Sequence, residues 1–386
     1  NKAAPIQVSW CGYLASAGVK QIDYIIADKN VILENEEIFY GKSVGYKADS
    51  YGEIVFNTAM TGFVEILSDP SYVNQIITFT SSHIGNYGLS KTDFESERPR
   101  VNGAIGTSFT TSPSSWRAEQ SITSWLKEYE IPYSGGFDVR SITSYLRDVG
   151  SSMFAFGTGL NSSELKELLE KSTNIIGDNS ALTAGRSKYD TNSTRNKIGI
   201  LDLGAKQSII NVIKNFGFEC IFVDPKTTAQ DIISLELSGL IISNGPGDPR
   251  SLINVVDTVR ELIGKLPLFG ICLGHQILSL ACGLNVKKLN FGHHGSNHPV
   301  MVSGIKNALI TSQNHGFTVE FPENEFEHSN FGKITEYAVN LNDRSNEGIS
   351  IWESNAYSVQ FHPESGPGTT DGLKLFDPFF QMLGSK

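Results

Sequence analysis

Cysteine is scarce in this sequence, and long apolar runs and basic blocks are missing. The 386 residues include four cysteines without the paired spacing of a disulfide framework. We therefore expect a reducing compartment, the cytoplasm, or an organelle matrix if a transit segment has been removed. No apolar run is long enough to span a bilayer, which argues against a membrane protein. The formal net charge of −10 argues against nucleic acid as a main partner.

Length and texture divide the chain into four predicted segments. Residues 1–22 have weak patterning and are predicted to form a variable arm. Residues 23–183 begin with short apolar runs between turn residues, which predicts an N-terminal, mixed, β-rich α/β domain. Residues 184–197 are polar and rich in Ser, Thr and Asn, which predicts a linker. Strand-like and helical runs alternate over 198–386, which predicts a mostly parallel, doubly wound α/β domain.

Serine marks the start of two helices predicted in the N-terminal domain. The runs SITSWLKEYE and SITSYLRD cover residues 121–130 and 141–148. A serine hydroxyl can accept a hydrogen bond from the first turn of a helix. We therefore expect the helices to start at Ser121 and Ser141.

The chemistry is predicted to centre on residues 266–283, LPLFGICLGHQILSLACG. A short apolar run leads to Cys272 and is followed by apolar residues at helical spacing, which predicts a buried strand, a sharp turn and a helix. Gly270 and Gly274 let the turn close and leave room beside the sulfur. A helix N-terminus favours the reactive thiolate. A lone cysteine is more often a buried structural residue, so its assignment as a nucleophile depends on its partners.

Two further motifs follow predicted strands and supply those partners. The loop SNGPGDP can present backbone N–H groups as an oxyanion hole, although a plain turn explains it equally well. In YSVQFHPE, His362 and Glu364 are two residues apart in an extended segment and so can share a face. Glu364 could then orient His362 while His362 takes the proton of Cys272. Such a thiol triad suits a protease, an acyltransferase or an amidase, and its spacing does not choose between them.

The polar motifs NFGHHGSNH and QNHGF are predicted to line a pocket. His293, His294 and His298 could suggest a metal, but no Cys or carboxylate lies at the spacing of a metal site, so we expect none. Ser71, in the turn DPSY, is the kind of exposed hydroxyl that can face another domain, although capping of its own turn explains it better.

These motifs together resemble known families. GICLGHQ, SNGPGDP and SVQFHPES resemble the triad-type glutamine amidotransferases. FNTAMTGFVEILSDPSY, HIGNYG, FGHHGSNHPV, QNHGF and HPESGPGTTDGLKLFDPF are similar to the small, glutamine-hydrolysing chains of carbamoyl-phosphate synthetases. The likeness runs from about residue 24 to residue 380, and the N-terminal motifs are specific to that small chain.

The resemblance implies roles for individual residues. It implies Cys272 as nucleophile, His362 as base and Glu364 as orienting carboxylate, with the N–H groups of Gly245 and Leu273 stabilising the oxyanion. The glutamine-contacting positions that it implies are Ser71, Gly245, Gly247, Leu273, Gln276, Asn314, Gly316 and Phe317. From the residues themselves we expect no cofactor or metal on this chain.

The resemblance also implies a partner. A large synthetase subunit would use the ammonia, with bicarbonate and with its own ATP and Mg, to make carbamoyl phosphate for pyrimidine biosynthesis, arginine biosynthesis or both. This sequence has no glycine-rich phosphate loop of the Walker type, so we expect no ATP chemistry here. We expect a hetero-oligomer.

The sequence departs from the family pattern at several places and leaves alternatives open. Asp138-Val-Arg140 replaces the usual Asp-Thr-Arg, residues 151–156 replace a Gly-richer stretch, Ile351-Trp352 stands where a His is common, and residues before Tyr24 have no counterpart. None of these departures touches the triad. The alternatives are a glutaminase subunit of another amidotransferase, a non-catalytic regulatory subunit of the same fold, and a free-standing thiol hydrolase.

Overall fold

The computed structural model of the chain divides into two compact units. The first comprises Asn1–Leu67, Asn74–Phe94 and Val101–Asn174, and the second comprises Ser68–Val73, Glu95–Arg100 and Ile175–Lys386. The structure describes residues 8–9, 24–25, 29–33, 38–158, 160, 162–170, 175–186, 196–322 and 325–384. Most of the predicted arm and linker therefore lies outside the described residues. Two short segments from the predicted N-terminal domain group with the second unit.

The first unit is built on a mixed sheet that closes on itself. The described strands of the unit as a whole are β1 (Val8–Ser9), β2 (Tyr24–Ile25), β3 (Lys29–Leu33), β4 (Ile38–Ser43), β5 (Ser50–Asn57), β6 (Gln75–Phe79), β7 (Gly103–Ile105), β8 (Tyr133–Gly135) and β9 (Met153–Thr158). The described strands of the closed sheet run in the order β3-β4-β8-β7-β6-β5-β9, while β1 pairs with β2. The pairs β5/β6, β6/β7 and β7/β8 are parallel. This unit confirms the prediction of a β-rich α/β domain.

Helices α1 (Phe63–Ser68), α2 (Ile122–Glu128), α3 (Val139–Val149) and α4 (Ser162–Glu170) accompany this sheet. Helix α2 starts as predicted, because the Ser121 hydroxyl accepts a hydrogen bond from the Ser124 N–H at 3.1 Å. Helix α3 is present as predicted, but its predicted start at Ser141 was wrong. Asp138 is its N-cap and accepts from the Ser141 N–H at 3.0 Å. A carboxylate caps a helix N-terminus at least as well as a hydroxyl, so the helix begins two residues before Ser141.

The second unit contains a large mixed sheet. Its strands are β10 (Lys197–Leu201), β11 (Glu219–Val223), β12 (Gly239–Ile242), β13 (Leu268–Ile271), β14 (Asn285–Val302), β15 (Leu309–Glu320), β16 (Glu325–His328), β17 (Gly332–Asn340), β18 (Asn346–Ile351) and β19 (Ala356–Val359). The order is β11-β10-β12-β13-β19-β18-β17-β14-β15, with β16 beside β17. The stretch from β11 to β19 is parallel. From β18 onward the strands are antiparallel, an extension that the sequence did not predict.

Helices pack on both faces of the parallel strands. They are α5 (Ala181–Ala184), α6 (Gln207–Asn215), α7 (Ala229–Ser234), α8 (Ile253–Leu262), α9 (Leu273–Ala281) and α10 (Asp377–Leu383). Leu240 packs in one core with residues of α7, α8 and α9, whereas its neighbour Ile241 packs in another with residues of α6 and α10. Successive strand residues point to opposite faces, so the two cores confirm the doubly wound arrangement. Within the described residues we find no helix with the length and apolar character needed to cross a membrane.

Candidate active site

Cys272 occupies a sharp turn between β13 and α9. Its φ is 55°, a strained conformation for a residue with a side chain, and its N–H donates to the Val359 carbonyl at 2.9 Å. A Cβ on Gly274 would collide with the Ile242 carbonyl oxygen, and a Cβ on Gly270 would lie 2.6 Å from the Gly274 oxygen. The two glycines are therefore needed for this turn, which presents a buried thiol at the carboxyl edge of the sheet.

His362 and Glu364 follow β19, the strand beside β13. Nδ1 of His362 donates to Oε1 of Glu364 at 2.6 Å, and both side chains are buried. The other ring nitrogen, Nε2, has no hydrogen-bond partner among the described residues, although the Cys272 thiol is near enough to raise the pKa of His362. The structure thus brings the three predicted triad residues together, with Nε2 left free toward the thiol.

The pKa values of His362 and Glu364 move in opposite directions. Burial alone would lower the pKa of His362, but the charge of Glu364 and the hydrogen bonds with Cys272 and Glu364 together outweigh it, and the pKa rises to about 10. Burial alone would raise the pKa of Glu364, but Lys206 and His362 lower it to about 2. An imidazolium–carboxylate pair is therefore stable at neutral pH, which suits a ring that must keep a proton taken from a thiol.

Lys206 is a site residue that the sequence analysis missed. It precedes α6 and is buried, and its Nζ lies 3.0 Å from Oε1 of Glu364. The same ammonium donates to the carbonyl oxygens of Ser365 at 2.7 Å and Gly366 at 2.8 Å. Nothing in the local sequence GAKQ signals this contact, because the two residues are far apart in the chain.

Two of the predicted glutamine-contacting residues share a carboxylate. Oδ1 of Asp69 accepts from the Ser71 N–H at 2.9 Å, and Oδ2 accepts from Nδ2 of Asn314 at 3.0 Å. The Ser71 hydroxyl accepts from Nδ2 of Asn244 at 2.9 Å. The carbonyl of Asn314 lies 3.5 Å from the Cys272 sulfur and accepts its S–H. Ser71 and Asn314 are thus held beside the thiol by Asp69 and Asn244, which the sequence analysis did not single out.

Four other predicted positions form two contacting pairs. The backbone of Gly245 lies against Leu273, since a Cβ on Gly245 would be 3.0 Å from Cδ2 of Leu273. Nε2 of Gln276 donates to the Phe317 carbonyl at 3.1 Å and to Oε1 of Gln360 at 3.0 Å. These contacts place the backbones of Gly245 and Leu273 and the side-chain amide of Gln276 near the start of α9. Gly247 and Gly316 offer only backbone groups to a ligand.

The three histidines of NFGHHGSNH have different surroundings. Nε2 of His293 donates to Asp343 at 2.9 Å, while Nδ1 of His294 donates to Oδ1 of Asn314 at 3.0 Å. Burial lowers the pKa of His294 and His298 to about 4. Burial also acts to lower the pKa of His293, but Glu347 and Asp343 outweigh it and raise that pKa. The histidines do not converge on one shared ligand.

The only grouping of donor atoms suited to a metal among the described residues is His293, His315 and Glu347, whose atoms lie within 4.8 Å of one another. Both Glu347 oxygens already accept hydrogen bonds, from Gln313 at 2.9 Å and Asn340 at 2.8 Å. Both ring nitrogens of His315 also have partners. These donors fit a hydrogen-bonded, charge-balanced cluster better than a metal site, and the expectation of no metal stays a prediction.

Comparisons with known families agree with the geometry. The model of class-I glutamine amidotransferases matches residues 199–382, which include the turn at Cys272, the SNGPGDP loop and the His362–Glu364 pair. A second family model, the CPSase domain of the carbamoyl-phosphate synthase small chain, matches residues 31–156. The fold and the site therefore define a protein with a class-I glutamine amidotransferase domain.

Individual relatives narrow the assignment. A carbamoyl phosphate synthase pyrimidine-specific small chain from Bacillus subtilis (strain 168) is 38% identical, over 92% of this chain and 96% of the relative. A carbamoyl phosphate synthase small chain from Bacillus caldolyticus is 37% identical over the same shares. Among solved structures, a glutamine amidotransferase from Thermotoga maritima is similar at a TM-score of 0.34 and 16% identity, covering 50% of this chain and 85% of that one. The chain belongs to the carbamoyl phosphate synthase small-chain family, and the resemblance stated from its motifs is confirmed.

Proposed function

We propose that this chain hydrolyses L-glutamine through Cys272, His362 and Glu364 and passes ammonia to a large synthetase subunit. One observation carries the proposal: the His362–Glu364 hydrogen bond of 2.6 Å lies at the sheet edge that also presents the Cys272 thiol. Membership of the small-chain family supports glutamine as the substrate.

In the proposed reactive state the Cys272 proton has already passed to Nε2 of His362, so a thiolate faces the imidazolium that the Glu364 carboxylate stabilises. The thiolate attacks the side-chain carbonyl carbon of glutamine, and the C–N bond breaks as His362 returns the proton to the leaving nitrogen. Ammonia leaves and a glutamyl thioester remains. Water, deprotonated by His362, then attacks the thioester, releasing glutamate and restoring the thiol. Glu364 stays ionised throughout and stabilises the imidazolium in each half-reaction.

The negative oxygen that forms in both steps needs preorganised donors. The N–H groups of Gly245 and Leu273 are proposed for this role, because the two residues are in contact beside Cys272 and Leu273 lies in the first turn of α9. N–H groups in the first turn of a helix have no partner within that helix. Backbone donors fixed in this way stabilise the oxyanion without reorganising during the reaction.

Glutamine is proposed to contact Ser71, Gln276, Asn314 and Phe317, and the backbone of Gly247 and Gly316. Nε2 of Gln276 is already engaged by two oxygens, which leaves its own oxygen to accept from the ammonium of the substrate. Asp69 holds Ser71 and Asn314 in place before the substrate arrives. A pocket held in this way loses less conformational entropy on binding.

The partner is proposed to be the large subunit that the family name implies. It would make carbamoyl phosphate from ammonia, bicarbonate and ATP, with Mg bound there and no cofactor on this chain. The product would serve pyrimidine biosynthesis, arginine biosynthesis or both. The Bacillus subtilis relative is named pyrimidine-specific, which supports the first of these pathways.

The test uses the purified chain and a Cys272→Ser variant, alone and with a large subunit of the family. Glutamine hydrolysis should be lost in the variant, because a hydroxyl is far less nucleophilic than a thiolate at neutral pH. The assembled wild-type complex should make carbamoyl phosphate from glutamine. The assembled variant should make it only from added ammonia. Hydrolysis by the variant at the wild-type rate would remove Cys272 from the mechanism, and failure with ammonia in an assembled complex would refute the division of labour.

A further inference from the structure

We propose that Lys206 is a positioning residue of the glutaminase, which keeps the Glu364 carboxylate aligned with His362 and limits how strongly that carboxylate holds the imidazolium. This inference rests on the proposed triad. It adds a fourth ionic group to it, one that would act on the reaction through the carboxylate and would not touch glutamine.

The geometry gives Lys206 very little freedom. Its N–H donates to Oδ1 of Asn244 at 3.1 Å, which fixes the backbone at the start of α6. Its Nζ contacts Oε1 of Glu364 at 3.0 Å and donates to two backbone oxygens just after Glu364. A buried ammonium with three oxygen partners in place has the geometry of a fixed structural charge.

One oxygen is shared between Lys206 and the base. Oε1 of Glu364 accepts from Nδ1 of His362 at 2.6 Å and lies 3.0 Å from the Lys206 ammonium. The ammonium therefore weakens the electrostatic attraction between the carboxylate and the charged ring. In each half-reaction His362 holds a proton and then releases it. A group in this role works best when its charged form is not stabilised too strongly.

Other charged groups around this pair complete the balance. The Glu95 carboxylate lies 3.7 Å from Nζ of Lys206 and is held by the N–H and hydroxyl of Ser208 at 2.9 and 2.8 Å. Asp69 also acts on Lys206, and together the carboxylates raise its pKa against the effect of burial. Among the described residues, the Cys272 thiol also acts on His362. Glu95 and Lys206, like Glu364 and His362, thus form a pair of opposite charges.

These contacts determine the direction in which a Lys206→Met substitution changes the pKa values of Glu364 and His362. Loss of the cation raises the pKa of Glu364, which Lys206 lowers, and raises the pKa of His362, which Lys206 also lowers. Both effects move the acid limb of the glutaminase pH–rate profile to higher pH.

The experiment measures glutaminase kcat and KM across pH for wild type and Lys206→Met in the full chain. The acid limb of kcat/KM should move up by about one unit, which lowers kcat/KM about tenfold on that limb. KM for glutamine should change less than kcat. Lys214→Met is the matched control, because Lys214 is an exposed lysine in the last turn of the same helix, and its profile should stay at the wild-type position.

Two further variants keep the test decisive if Lys206→Met folds poorly. Lys206→Met combined with Glu95→Gln removes one charge of each sign, so the buried cluster stays balanced, and it should still show the upward shift relative to Glu95→Gln alone. In a Glu364→Gln background, Lys206→Met should shift the limb by less than half as much, because its main target is gone.

The outcomes separate this inference from the proposed function. A uniform loss of kcat with an unmoved acid limb would overturn the inference, since that is the result of a purely structural lysine. A full-sized shift in the Glu364→Gln background would also overturn it. Absence of glutaminase activity in the wild-type chain, or its persistence in Cys272→Ser, would instead contradict the proposed triad.

Discussion

At the scale of single residues, His362 and Glu364 stabilise each other's charged forms. The pKa of His362 is raised from 6.5 to about 10, so this group contributes stability below pH 6.5 that is lost as the pH rises toward 10. The pKa of Glu364 is lowered from 4.5 to about 2, so its contribution is present above pH 4.5 and is lost as the pH falls toward 2. Between pH 4.5 and pH 6.5 both contributions to stability are fully present, and both groups carry the charges that the proposed chemistry uses.

Replacing each member of the pair separates their roles. His362→Asn should lower glutaminase kcat by about a thousandfold, because it removes the general base itself. Glu364→Gln should lower kcat less, because it removes an orienting group, and should bring the pKa of His362 down from about 10. Steady-state kinetics and an NMR titration of the ring would measure both effects. Equal losses of kcat, or an unchanged pKa of His362, would contradict the assigned roles.

The cluster around His293 should work without a metal. EDTA should leave glutaminase activity and thermal stability unchanged, since the donor atoms of Glu347 and His315 already have hydrogen-bond partners. The comparison is a dialysed sample assayed with and without added zinc. Loss of activity on chelation, with recovery on adding zinc, would show that these residues hold an ion.

At the scale of elements, the turn from β13 into α9 was predictable because its requirements are local. An apolar run, two glycines around a cysteine and a helical pattern specify strand, turn and helix from adjacent residues. The antiparallel strands β14, β15, β17 and β18 were not predicted. Their sequences carry histidines, glycines and polar residues whose burial depends on partners distant in the chain, so their alternation is weak.

Gly274→Ala tests the turn. The added Cβ would collide with the Ile242 carbonyl, and backbone on both sides cannot move without disturbing the sheet. The free energy of unfolding should fall by about 3 kcal/mol, and glutaminase activity should be lost. Gly384→Ala is the control, because Gly384 has a φ of −84° and its nearest potential contact is at 3.8 Å. Similar chemical denaturation midpoints for the two variants would refute the argument.

At the scale of the whole molecule, the second unit is assembled from three separate stretches of chain. Ser68–Val73 and Glu95–Arg100 group with Ile175–Lys386, and they bring Asp69 and Glu95 to the site. Family resemblance supplied Ser71 and Asn314 from the sequence. Asp69, Glu95 and Lys206 could not be found in this way, because a buried ion pair leaves no periodic pattern and its partners here lie more than a hundred residues apart.

Asp69→Asn tests the contribution of the first segment. The substitution removes the charge that holds the Ser71 N–H and the Asn314 amide, and a hydrogen bond to a charged group contributes about 1.5–3 kcal/mol. KM for glutamine should therefore rise by about tenfold, with a smaller change in kcat. Asp148→Asn, at an exposed position of α3, should leave both constants unchanged. A lower kcat at constant KM would place Asp69 in bond making and not in substrate binding.

The backbone at Cys272, with its φ of 55°, also bears on how such chains evolve. Glycine would adopt this conformation without strain, so the cysteine is retained there at a cost in stability. A duplicated gene that no longer needs the glutaminase reaction would be released from that cost. Substitution to glycine at this position would then be favoured by selection for stability alone. In a descendant that keeps the sheet and the surface of this chain, a glycine at this position would indicate that glutaminase activity was lost while the fold was kept.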